Sequence, residues 1–147
     1  MVVEKFYEET FYSNIKQYIE NESIYKPLVI KSETLVSNVF PIIPIKLLKS
    51  TNQFTTLSYD ETRYDFNIEI EIYSQDKTIN GQKVSKKAIC HEIAEKIVDY
   101  LNENYRVNLT IELDKANIDS SVHRSSIRLT GVLDTKLGKD KLIVYPR

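Results

Sequence analysis

RYDFNIEIEIY, residues 63 to 73, decides the fold. Tyr64, Phe66, Ile68, Ile70 and Ile72 alternate without a break against Asp65, Asn67, Glu69, Glu71 and Tyr73. A period of two sends the sets to opposite faces of a strand, so one face is apolar and the other wet. Eleven residues at about 3.3 Å each make a strand of about 36 Å. With Thr55–Tyr59 ahead of it and Asp60-Glu61-Thr62 between, the pattern predicts a long β-hairpin.

The stretch that follows, YSQDKTINGQKVSKK (73–87), is polar and lysine-rich with one glycine. A phosphate loop needs paired glycines, so that successive N–H groups curl around an anion, and a Gly-Lys-Ser/Thr end. Gly81 stands alone and Gln82 follows it. The stretch therefore reads as a solvated connector. Beyond it, Ile89, Ile93, Ile97 and Leu101 recur every four residues, broadened by Ala94, Val98 and Tyr105, which predicts a helix N-capped by Ser85. Glu92, Glu95, Lys96 and Asp99 form its solvent side, with Glu92 and Lys96 spaced to pair. Val107–Leu113 alternates as a further strand. HRSSIRLTGVLDTK (123–136) is another, with Gly131 marking a bulge or a close approach. KLGKDK is a turn and LIVYP a last strand.

Upstream, Tyr7, Phe11, Ile15, Tyr18 and Ile19 predict a helix over about 4–21, followed by a strand over 26–32. NVFPIIPIKLL resists placement. Pro41 and Pro44 lack the N–H donors that a central ladder needs, so this segment is expected as an edge strand or an extended arm. The whole is one α+β domain, residues 1–147: a mainly antiparallel sheet with two helices packed on one face, a long β-hairpin and an extended arm.

Composition narrows the function classes. The formal net charge of −1 exerts no general pull on nucleic acid or an acidic membrane. Cys90 is the only cysteine, so no internal disulfide forms, which fits a reducing cytoplasm. The acidic start MVVEKFYEETFY is no signal peptide, and no apolar run reaches membrane-span length. Cys90 and His91 are adjacent on a helix and diverge by about 100°, so Cys90 reads as a small core residue, not a nucleophile. Two histidines 32 positions apart with one cysteine do not have metal-ligand spacing. Asp65, Glu69 and Glu71 share a strand face, but the lysine two residues from an acid that a nuclease site wants is missing. No cofactor, metal or catalytic set is expected, and the chain reads as a non-enzyme.

YDFNIEIEIYSQDK, the NGQKVS loop, the helix, a strand and NIDSSVHRSSIRLTGVLD together resemble the tail-terminator (tail-completion) proteins of tailed phages. The resemblance runs from about Pro27 to Asp134. Arg124, Arg128, Gly131 and Asp134 stand where such proteins keep an Arg-rich strand ending in Gly and Asp. It implies a virion protein made in the bacterial host cytoplasm and located at the tail neck. Its partners would be further copies of itself, usually six in a ring, the tail tube protein and the head connector, with DNA passing through unbound and no membrane. Other neck rings, a cap of a headless tail-like particle and, from a different class, a small nucleic-acid-processing enzyme are the rival readings. Three sets of residues acquire expected roles. Asp65, Glu69 and Glu71, or some of them, would line the channel, repelling phosphates, or else form an outer solvated surface. Lys77, Asn80, Gly81 and Lys83 would lie in an inter-ring loop. Phe40, Pro41, Ile43 and Pro44 would form an intersubunit arm, or else an irregular edge packed on the chain's own core.

Overall fold

The alternating run is one long strand of an α+β fold in the computed structural model, which describes residues 2–31, 39–48, 63–116, 119–134 and 143–145. The chain opens with α1 (Val2–Lys5), a π-helical turn (Phe6–Phe11) and α2 (Tyr12–Glu22), which run into one another. The wider π turn, closed by the Tyr12 N–H on the Tyr7 carbonyl, puts Phe6, Tyr7 and Phe11 all inward. Then come β1 (Leu28–Lys31), β2 (Ile42–Leu47) and β3 (Arg63–Ser74). The short strands β4 (Lys77–Ile79) and β5 (Gln82–Val84) lead into α3 (Lys86–Asn104). Strands β6 (Asn108–Lys115), β7 (His123–Asp134) and β8 (Ile143–Tyr145) complete the described elements.

The main sheet has the order β1-β2-β3-β7-β6, with β8 also on β7. Only β1 and β2 are parallel; the other pairs are antiparallel. The spine is the β3–β7 pair, in unbroken register from Arg63↔Asp134 to Ser74↔His123. Phe66, Ile68, Ile70 and Ile72 of β3 meet Ile127 and Leu129 of β7, and Ile43 and Ile45 of β2, in one buried cluster. The helices cover this face. Phe6 packs 5.9 Å from Phe66, centroid to centroid, and Tyr7 donates to the Ile45 carbonyl at 2.8 Å. From α3, Ile89, Ile93, Ile97 and Leu101 enter the same core, as their spacing predicts. Ser85 caps that helix, its Oγ accepting the Ala88 N–H at 3.2 Å. No helix among the described residues is long and apolar enough to cross a membrane.

Several expectations change. The segment expected as an edge or arm is an interior strand: β2 pairs with β1 on one side and β3 on the other. The β2–β3 register runs Ile42↔Tyr73 and resumes at Ile45↔Ile70, passing over Ile43 and Pro44. The ladder tolerates the proline by lapsing where the donor is missing. Residues 73–87 are not a plain connector. Asn80 (φ 51) and Gly81 (φ 79) form the two-residue turn of a hairpin between β4 and β5, the left-handed pair that Asn-Gly favours. Gly131 carries no bulge towards β3, where it faces Phe66; the irregularity falls in β6 instead, between Glu112 and Lys115. Glu92 and Lys96 reach tertiary partners: Tyr25 donates its phenol to Glu92, and Lys96 donates to the Glu22 carbonyl at 3.1 Å. The hairpin partner at 55–59, the turn at 60–62 and the turn at 136–141 lie outside the described residues.

Candidate functional site

Four places on this scaffold bear on function. The first is the sheet face away from the helices, where Asp65, Glu69 and Glu71 were expected to present bare carboxylates. They do not. Asp65 is buried. Glu69 accepts from Arg128 Nη2 at 2.9 Å, and Glu71 accepts from Arg124 Nε at 2.5 Å and Nη2 at 2.8 Å. Burial pushes the Glu71 carboxyl up, but hydrogen bonds from Arg124 and Tyr73 and the Arg124 charge outweigh it and hold the group below the ordinary 4.5. The acids of β3 meet the arginines of β7 because the register places Arg128 opposite Glu69 and Ser126, between the two arginines, opposite Glu71. This face is charge-compensated: two of the three acids are paired with arginines and the third is buried.

The second place is the β4–β5 hairpin. Its tip, Asn80 and Gly81, is exposed, as is Lys83, which lies 3.7 Å from Asp76. Lys77 differs: it is half-buried and donates to the Tyr25 carbonyl at 2.7 Å, tying the hairpin to the body. Asp76 Oδ1 accepts the Lys86 N–H at 2.8 Å where the hairpin enters α3. Only the outer part of the hairpin is free to meet another molecule.

The arm residues do not form an arm. Ile43 is fully buried in the core and Pro41 is buried, its carbonyl accepting the Leu28 N–H at 2.9 Å. Phe40 and Pro44 are half-buried. The alternation of β2 points Ile43 and Ile45 inward, so apolar side chains expected at a neighbour are spent on the chain's own core.

The third place is the outer side of β6. Here Ile111 and Leu113 are exposed, at 44% and 39% of their surfaces. With Ala94 and Val98 of α3 they line an open, mainly apolar groove that His91, Glu95 and Asp99 also border. On its far side β6 has no strand among the described residues.

The fourth place was not visible in the sequence. His91 of α3, Asp114 of β6 and His123 of β7 converge, one ligand atom from each lying within 4.8 Å of the others. His91 Nε2 is 2.7 Å and His123 Nε2 3.1 Å from Asp114 Oδ1. The rings sit edge to face, 5.7 Å apart. Since a carboxylate only accepts, His91 Nε2 donates to it, whereas His123 Nε2 only stands nearby. The bond from His91 holds the Asp114 carboxyl below its ordinary value against burial, with Lys87 acting the same way. The irregularity in β6 re-aims Asp114. It also leaves the Leu113 carbonyl to accept from Ser125 Oγ at 2.5 Å and His123 Nε2 at 3.0 Å. A one-residue offset in a strand is the signal that makes this cluster, and no spacing rule encodes it. Cys90, beside His91 in sequence, points the other way. Its thiol is buried, lies 3.6 Å from the Ile72 carbonyl and is pushed up to about 12 by burial. The core reading of Cys90 holds.

The chain matches no family model and no curated protein.

Proposed function

We propose that this chain is a structural subunit of a tailed-phage tail: the terminator, which forms a ring of identical copies on the last tube ring, ends tube growth and offers a docking face to the head connector. It works by mating surfaces and transforms no molecule. Its place is then the tail neck of the virion, and DNA passes through the ring without specific binding.

The reading rests on the resemblance across about Pro27 to Asp134 and on one observation, the exposed apolar edge of the sheet. A closed ring needs a heterologous contact, one surface of each copy meeting a different surface of the next. The outermost strands of the described sheet are β1 and β6, on opposite sides. An edge strand with exposed apolar side chains invites a second chain, and β6 offers Ile111 and Leu113 beside the α3 groove. In the ring, this edge of one copy seats against the β1 side of its neighbour. The β4–β5 tip, at Asn80, Gly81 and Lys83, faces the adjoining ring.

Mass measurement of the purified chain, with electron microscopy of added tail tubes, tests this. A ring of about six copies capping tube ends is expected. A strictly monomeric chain indifferent to tubes, or one that turns over a substrate, would overturn the reading.

A further inference from the structure

The geometry points to a metal site: we propose that His91 Nε2, His123 Nε2 and Asp114 Oδ1 bind one Zn2+ ion per chain, with the remaining coordination position open to water. Two imidazole nitrogens and one carboxylate oxygen form a borderline donor set that suits zinc, whereas calcium and magnesium want oxygen alone.

The donors are already gathered. Around a tetrahedral Zn2+ with bonds of about 2.0–2.2 Å, donor atoms stand about 3.3–3.5 Å apart. The 2.7 Å and 3.1 Å separations from Asp114 need a widening of about 0.2–0.8 Å, and the two imidazole nitrogens, within 4.8 Å of each other, need to take up the same spacing; side-chain rotations supply both. Three separate elements, α3, β6 and β7, contribute one ligand each, and the β6 irregularity brings the carboxylate in. Asp114 is exposed and both histidines are half-buried, so an ion reaches the site from solvent.

Binding rearranges a few hydrogen bonds. His91 Nε2 now donates to Asp114 Oδ1, and His123 Nε2 to the Leu113 carbonyl. On binding, each neutral ring presents its Nε2 lone pair to the ion and carries its proton on Nδ1. The Leu113 carbonyl keeps Ser125 as its donor. Lys87, the cation near Asp114, is exposed and free to swing away. The ion would pin α3 to the β6–β7 edge, a corner that side-chain hydrogen bonds from His91, His123 and Ser125 otherwise hold. The site lies within one chain, so it stands or falls separately from the ring.

The test uses the tag-free full chain stripped with a chelator. The chain has two histidines in all, both in the cluster, so ring-nitrogen NMR reads the site without any variant. Zn2+ is expected to shift both ring signals together, saturate at one ion per chain and raise Tm. Co2+ in its place should give the visible bands of a four-coordinate nitrogen–oxygen site. His91→Ala with His123→Ala should abolish the Tm response, and Asp114→Asn should weaken binding at least about tenfold. Unmoved ring signals at millimolar Zn2+, or a Tm response that survives the double substitution, would overturn the proposal.

Discussion

Arg124 of β7 grips Glu71 of β3 in a two-pronged pair, Nε to Oε2 at 2.5 Å and Nη2 to Oε1 at 2.8 Å. The Tyr73 hydroxyl donates to the same Oε2 at 2.5 Å, and the guanidinium lies 5.6 Å from the Tyr73 ring centre. The two side chains keep 24% and 14% of their surface in solvent, so the pair is shielded enough to matter for stability. Arg128 and Glu69 form a single-pronged pair further along the same strands, Nη2 to Oε2 at 2.9 Å, with a more exposed arginine.

The first prediction concerns acid. Glu71 is held below the ordinary 4.5, so as pH falls the unfolded chain takes up its proton first. The stabilisation is complete above that value and drains as pH drops through the depressed folded value. Arg124→Met should cost about 2 kcal/mol at pH 7 and less at an acid pH low enough to protonate Glu71. Urea unfolding at both pH values measures it; an equal loss at both would contradict the pairing.

A second prediction concerns the hairpin tip. Gly81 sits at φ 79 with nothing within 4 Å of an added Cβ. Gly81→Ala therefore meets conformational strain alone, about 1 kcal/mol. Hydrogen exchange should speed up at β4 and β5 and stay unchanged in β3 and β7. Lys83→Ala, which forfeits only an exposed ion pair with Asp76, should leave Tm nearly unchanged and, if the tip meets the next ring, impair seating on tubes.

The exposed β6 edge gives a third. Ile111→Asp and Leu113→Asp alter side chains that are already about 40% in solvent, so each variant should fold. Light scattering should find the ring mass lost and circular dichroism unchanged. A ring that tolerates both substitutions places the contact elsewhere.

Tyr25 supplies the fourth. Its phenol is pushed up to about 12 by burial first and then by its hydrogen bond to Glu92. A raised value favours the folded state below pH 10 and loses that benefit as pH climbs through 12. Tyr25→Phe should destabilise by about 1 kcal/mol at pH 7, read by thermal unfolding, with the difference from the parent vanishing in strong alkali.

Asn80-Gly81 between Thr78-Ile79 and Gln82-Lys83 carried the hairpin signal, overshadowed by the lysines around it. Pro44 misled for a sound reason: proline is excluded from ladders, and only the lapse between Ile42 and Ile45 shows how an interior strand admits one.

From residue order alone came what repeats locally. The period-two run over Arg63–Tyr73 makes β3, the four-residue recurrence from Ile89 to Leu101 makes α3, and Ser85 marks that helix's start. Such patterns are legible because a side chain's polarity and its direction along a regular backbone are set by near neighbours. Tertiary structure decided which elements lie side by side: β2 between β1 and β3, arginines of β7 over acids of β3, and His91 and His123 meeting Asp114. Those outcomes depend on register and on a single irregularity in β6, which arise only when distant stretches bury their apolar faces against each other.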